Sequence, residues 1–198
     1  MKFVTSIHHS TIMAKQYRKN RIYNQTSLFG PLYAYLVVIS PPKEIRNAIA
    51  VIKKDWDETA NIGERNLQSI GHITLTDRLT DDANFSETVR ELLKGHQKFS
   101  VRLHGIDVFD HQPKKTVFLK IENPDPIISL MQSLKSATKS PHLSLAKTLQ
   151  PETFEKLKNQ INDFEFDTEW VCEEIIVLKK LMSEKHLGFK DKIIIPLQ

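Results

Sequence analysis

The chain has 198 residues, 40% of them hydrophobic, and a formal net charge of +4. That is enough chain and apolar content for one large or two small domains with a real core. No run approaches the ~18–20 consecutive apolar residues of a membrane-spanning helix, and a single cysteine, Cys172, excludes an internal disulfide, which fits a reducing, cytoplasmic setting.

The charge is unevenly spread. Residues 1–32 hold Lys2, Lys15, Arg18, Lys19 and Arg21 and no acid, a charge of +5 that leaves −1 for the remainder. Residues 1–30 read as a basic, flexible leader able to attract nucleic acid without sequence preference. Residues 31–198 read as one folded unit. Met1 to Ile7 lacks the apolar stretch of a secretory signal.

Tyr33 to Ile39 is a short apolar run rich in β-formers and predicts a buried strand. Ser40-Pro41-Pro42 ends it and opens a helix with Ile45, Ile49 and Ile52 on one face and Trp56 a turn further. A polar loop around Asn61 to Gln68 leads to a strand at about Ser69 to Asp77, then a helix at about Ser86 to His96 capped by Ser86. Phe99 to Leu103 alternates as a half-buried strand does.

The order then repeats. Thr116 to Ile121 is a strand, and Asn123-Pro124-Asp125-Pro126 opens a helix containing Ile127, Leu130, Met131 and Leu134. Pro141 introduces a strand, Pro151-Glu152 starts a helix through Leu157 and Ile161, and strands follow at Phe164 to Phe166 and Glu174 to Leu178. A last strand spans Lys192 to Leu197. Strand, proline break, helix, strand, helix, strand thus occurs twice, a duplication of pattern rather than of residue identity. It predicts an α+β fold of two lobes facing one another.

The two copies carry matched segments, Gly71-His72-Ile73-Thr74-Leu75 and Pro141-His142-Leu143-Ser144-Leu145. On strands, His72 and Thr74 share one face, as do His142 and Ser144, while Ile73, Leu75, Leu143 and Leu145 face a core. Chance gives roughly 0.2 copies of His-apolar-hydroxyl-apolar in a chain of this composition, and two are present. Side by side, the strands would supply an acid, a base and two hydrogen-bond donors to one cleft, the set that moves a phosphoryl group. The competing reading makes both histidines ordinary buried, hydrogen-bonded side chains. By the same alternation Thr76 and Arg78 have the parity to extend the cleft floor, against packing for Thr76 and a solvated charge for Arg78 as the other readings. Tyr35 and Phe118 are candidates to stack a nucleobase, against core packing as their alternative. The six glycines are scattered and no zinc spacing occurs, so no phosphate loop, dinucleotide fingerprint or metal site is expected.

The paired motifs, 70 residues apart, resemble those of the 2H phosphoesterase superfamily, and within it the 2′-5′ RNA ligase and RNA 2′,3′-cyclic phosphodiesterase (LigT-like) branch. The similarity runs from about Tyr33 to Leu197. It implies two lobes, each with an antiparallel sheet flanked by helices, and a central cleft in which one of His72 and His142 acts as catalytic base and the other as acid. Thr74 and Ser144 would hold phosphate oxygens. Members often carry a basic residue just after the second motif, here Lys147, although its parity on an ideal strand is opposite to His142. The resemblance implies a metal-independent, cofactor-free, monomeric enzyme for 2′,3′-cyclic phosphate ends of RNA, with 2′-5′ ligation as the related reaction. Small cyclic phosphates are an alternative substrate, and binding of RNA 3′ ends without turnover an alternative function. No membrane partner is expected.

Overall fold

The computed structural model describes residues 30–138, 140–185 and 188–198, so the expected basic leader lies outside the described residues apart from Gly30. Strand β1 is Tyr33–Ile39. Proline has no ladder donor, and its fixed φ suits the first helical turn, so Pro41-Pro42 ends the strand. Helix α1, Lys43–Ala60, buries Ile49, Lys53, Trp56 and Ala60 along one face. It stops at Asn61, whose left-handed φ of 53° and N–H bond to the Asp57 carbonyl close the last turn.

The polar stretch read as a loop contains a short helix α2, Glu64–Gln68. Strand β2 (Ile73–Thr80) and helix α3 (Phe85–Leu92) follow. Strands β3 (Phe99–His111) and β4 (Lys114–Ile121) form a long hairpin. β3 runs well past the expected Leu103. A bulge between Leu103 and Ile106, with Gly105 at φ 64°, restarts the alternation and sets Ile106 and Val108 opposite Leu119 and Val117. Helix α4 (Asp125–Ser133), β5 (Leu143–Leu149), α5 (Pro151–Asn162), β6 (Asp167–Cys172), β7 (Glu174–Leu181) and β8 (Asp191–Pro196) complete the chain.

The strand expected at Phe164 to Phe166 is a correction. Phe164 meets Trp56 edge-on with ring centroids 5.9 Å apart, and Phe166 stacks on Phe164 at 6.1 Å. The alternating aromatics cover the end of α1, and the strand begins only at Asp167.

All strand pairs are antiparallel, and the order is β6-β3-β4-β5-β2-β1-β7-β8. The two expected half-sheets meet through one residue pair, Ile73 with Leu143, between β2 and β5. A pseudo-twofold at this pair exchanges β2 with β5, β1 with β4, β7 with β3 and β8 with β6. The sequence halves are not the lobes: β3 follows the first motif but pairs in the second lobe, and β7 follows the second motif but pairs with β1. The helices also cross, α1 packing on β5 and α4 on β2. The apolar core lies under the helices, with Val37, Ile39, Ile73, Leu75, Leu119 and Leu143 from the sheet and Ile49, Trp56, Leu130 and Leu157 from the helices. The opposite face of the sheet is left for the cleft. Among the described residues no helix is long and apolar enough to cross a membrane.

Candidate active site

His72 immediately precedes β2 and His142 immediately precedes β5, so both stand beside the central pair formed by Ile73 and Leu143. Each Nδ1 lies against a carbonyl two residues earlier, Ile70 O at 2.7 Å and Ser140 O at 3.0 Å. A carbonyl only accepts, so Nδ1 carries the hydrogen and Nε2 of the neutral ring keeps its lone pair. Gly71 lets this entry lie close to α1. A β-carbon there would come within 2.9 Å of Ile49 Cδ1.

His72, Thr74, His142, Ser144 and Lys147 line one cavity of about 300 Å³. No described residue hydrogen-bonds the hydroxyl of Thr74 or Ser144. No carboxylate lines the cavity among the described residues.

The position of Lys147 is explained by β-bulges. Along β2, Thr74 pairs with Val38 but Thr76 pairs with Val37, so Leu75 is an extra residue. Along β5, Ser144 pairs with Phe118 but Ala146 pairs with Val117, so Leu145 is extra in the matching place. Each bulge turns two successive side chains, Leu75 and Thr76 or Leu145 and Ala146, away from the cleft. The parity then inverts, and Lys147 arrives on the cleft side despite its odd spacing from His142. A second slip between Lys115 and Val117, with Thr148 at φ 55°, opens the end of β5 further.

The same bulge decides between the two readings of Thr76 and of Arg78. Thr76 opposes Val37 of the core and is buried, and Arg78 opposes Tyr35 with its guanidinium 5.6 Å from the Phe85 ring. Both lie on the helix side of the sheet. Tyr35 is there too. It is 1% exposed and donates its hydroxyl to the Asp82 and Ala83 carbonyls at 3.0 and 2.8 Å. Phe118 is on the cleft side but 7% exposed, its ring 5.3 Å from that of His142.

Several neighbours of the site were not visible as such in the sequence. Phe109 stacks on Phe118 at 4.1 Å and meets the His142 ring edge-on at 4.9 Å, so two phenyl rings fix that imidazole. Helix α2, present in only one copy of the repeat, brings Arg65 and Asn66 to the cavity wall, and Ser69 follows. Asn66 clamps the backbone of Lys147, accepting from its N–H at 2.8 Å and donating to its carbonyl at 3.2 Å. Beneath Ser69 lies Lys53. The 4-3-4 spacing of Ile49, Lys53, Trp56 and Ala60 was the available signal for it, a lysine inside an apolar stripe.

Burial is the main cause that holds His72 below the usual histidine value. The cations Lys147 and Lys53 and the neighbouring His142 push the same way, against the Ile70 carbonyl. His142 is also lowered, chiefly by burial and secondarily by Lys147, against the Ser140 carbonyl. These surroundings favour two neutral imidazoles, and an arriving anion would raise both. Among the described residues no group of three or more His, Cys, Asp or Glu could hold a metal ion.

A curled antiparallel sheet whose two central strands each deliver a His-x-[Thr/Ser]-x segment to one cleft defines a 2H phosphoesterase architecture. The chain belongs to the 2'-5' RNA ligase superfamily, whose family model matches residues 41–183. Comparison with curated proteins returns no match. Among solved structures, TT0787 of Thermus thermophilus is similar over 83% of this chain and 95% of its own, with a TM-score of 0.52 at 15% identity. E. coli LigT complexed with 3'-AMP is similar over 84% and 95%, with a TM-score of 0.51 at 18% identity. E. coli LigT complexed with ATP gives a TM-score of 0.52 over 85% and 96%, also at 18% identity. At these identities the likeness is one of fold.

Proposed function

We propose that the cleft hydrolyses 2′,3′-cyclic phosphate ends of RNA to 2′-phosphate ends. One motif histidine, neutral, takes a proton from water as its oxygen bonds to phosphorus. The other, protonated, gives its proton to O3′ as the P–O3′ bond breaks. Each turnover exchanges the protonation of the pair, and solvent resets it. Thr74 and Ser144 donate to the equatorial oxygens, and Lys147 offsets their charge. The bound monoanionic phosphate supplies the field that lets one imidazole hold a proton near neutral pH. An RNA 5′-hydroxyl in place of water would give a 2′-5′ linkage, so ligation shares the site.

The observation that carries this reading is the symmetric set itself: two Nδ1-anchored histidines, two hydroxyls without a hydrogen-bond partner among the described residues, and a lysine around one cavity that no described carboxylate lines. A second substrate of the same chemistry is a small cyclic nucleotide; the complexes of E. coli LigT with 3'-AMP and ATP show that a protein of this fold binds mononucleotides.

The test is incubation of chelator-treated protein with a short RNA ending in 2′,3′-cyclic phosphate, beside His72→Ala and His142→Ala. Wild type alone should form the 2′-phosphate end. Conversion of 2′,3′-cyclic mononucleotides but not RNA would select the second substrate. Retained RNA binding without turnover by folded wild type would reduce the protein to an RNA-end-binding module.

A further inference from the structure

Lys53 sits where a core residue belongs. It lies in the buried stripe of α1 between Ile49 and Trp56 and is 1% exposed. Among the described residues no other lysine, arginine or carboxylate is buried. Its Nζ donates to the Ser69 carbonyl at 2.6 Å and to the Ser69 hydroxyl at 2.7 Å, and that hydroxyl donates on to the Asn66 carbonyl at 3.1 Å. Among the described residues no carboxylate pairs with it. The charge acting on it is another cation, Lys147.

Removing an ammonium from water is costly unless an opposite charge and further hydrogen bonds compensate. Two hydrogen bonds are present, and among the described residues the opposite charge is not. Both are made to Ser69, which lines the cavity, and Lys147 borders the same cavity. Two lysines that repel one another are thus held against one polar wall, with no acid on it among the described residues.

We propose that Lys53 is a positioning residue whose counter-charge is the substrate phosphate. It does not touch the phosphate. Through Ser69 and Asn66 it fixes the wall that holds Lys147, and through space its buried charge attracts the incoming anion. The inference rests on the cleft being a phosphate site. Burial, then Lys147, lowers the Lys53 ammonium to about 8, the expected mark of a buried cation without a partner. A scaffold role alone would need the two hydrogen bonds but no charge.

The experiment compares wild type, Lys53→Met and Lys53→Gln by thermal melting and by calorimetric titration with inorganic phosphate, together with KM and kcat on the cyclic-phosphate RNA. The expected result is that Lys53→Met folds with an unchanged or higher Tm in phosphate-free buffer, because an apolar isostere removes a buried charge. Its phosphate affinity should fall by about tenfold or more, with KM rising more than kcat falls. Lys53→Gln keeps a donor to Ser69 and should lose affinity nearly as much. Wild-type phosphate affinity in the variants, failure of both variants to fold, or lower Tm with unchanged affinity would each assign Lys53 to the scaffold and overturn the proposal. If wild type itself binds no phosphate and turns over no cyclic phosphate, the reading of the cleft fails together with it.

Discussion

Asn66 is where the first half of the repeat grips the second. Its amide meets both backbone groups of Lys147 and also donates to the Ile62 carbonyl at 2.7 Å. Lys147 lies where the β4–β5 register has slipped, so the regular ladder does little to hold it. Asn66→Ala removes three hydrogen bonds, each contributing about 0.5–1.5 kcal/mol net. The Lys147 pair is exposed, so water replaces part of that, and the loss should be about 1–2 kcal/mol. For a domain of this size that is a fall in Tm of about 2–8 °C. The larger effect should be kinetic. A released Lys147 forfeits a charge-assisted contact with phosphate, about 1.5–3 kcal/mol, so KM should rise roughly ten- to a hundredfold with kcat less affected. Asn66→Asp keeps an acceptor for the Lys147 N–H but loses both donors and adds a carboxylate to a wall where no described residue supplies one, so it should bind substrate worse than Ala. Thermal melts and steady-state kinetics on a cyclic-phosphate RNA measure both effects. An Asn66→Ala protein with wild-type Tm and KM, or an Asp variant that outperforms it, refutes the clamp.

In a proton NMR titration, His72 and His142 should titrate below the ordinary histidine value of about 6.5 and shift upward when phosphate is added. Because both folded values are lowered, the unfolded state binds more protons between them and about pH 6.5, so this contribution to stability is present above that pH and is lost as pH falls through the folded values. Urea unfolding of wild type against His72→Ala at pH 5 and 7 reads the difference, and an equal change in both proteins would contradict the assignment. Phe109→Ala unstacks Phe118 and frees an edge of His142, a loss of about 0.5–1.5 kcal/mol beyond area burial. The kcat should drop several-fold with little change in phosphate affinity, and an unchanged kcat would show that the rings do not steady the imidazole. Tyr35→Phe gives up the bonds to Asp82 and Ala83, about 1 kcal/mol of stability, while turnover stays at the wild-type level. Impaired turnover with a normal Tm would return Tyr35 to the site.

The motif pair was legible because strand alternation is a local property: His72, Thr74, His142 and Ser144 follow from period two alone. Helix α1 was legible from Ile45, Ile49, Ile52 and Trp56, and the duplication from its proline breaks. What escaped depends on partners distant in sequence. A bulge exists only relative to a neighbouring strand, so nothing local marks Leu75 or Leu145 as extra residues, and parity alone left both readings of Thr76 and Arg78 open. Helix α2 is short and polar, and its place is set by the grip of Asn66 on a residue 81 positions away. Phe164 and Phe166 copied a strand's alternation while serving as a cover for Trp56. Phe109 lay beyond the His104-Gly105 break, where the alternation had lapsed.

The exchange of β3 and β7 between lobes has a consequence for history and for mechanics. Each half of the repeat supplies a motif strand and its neighbour to one lobe and sends a later strand to the other, the topology of a strand-swapped, twofold dimer fused into a single chain. Neither half can be cut free with its sheet intact, since a fragment ending at His111 would take β3 from β4 and leave β1 without β7.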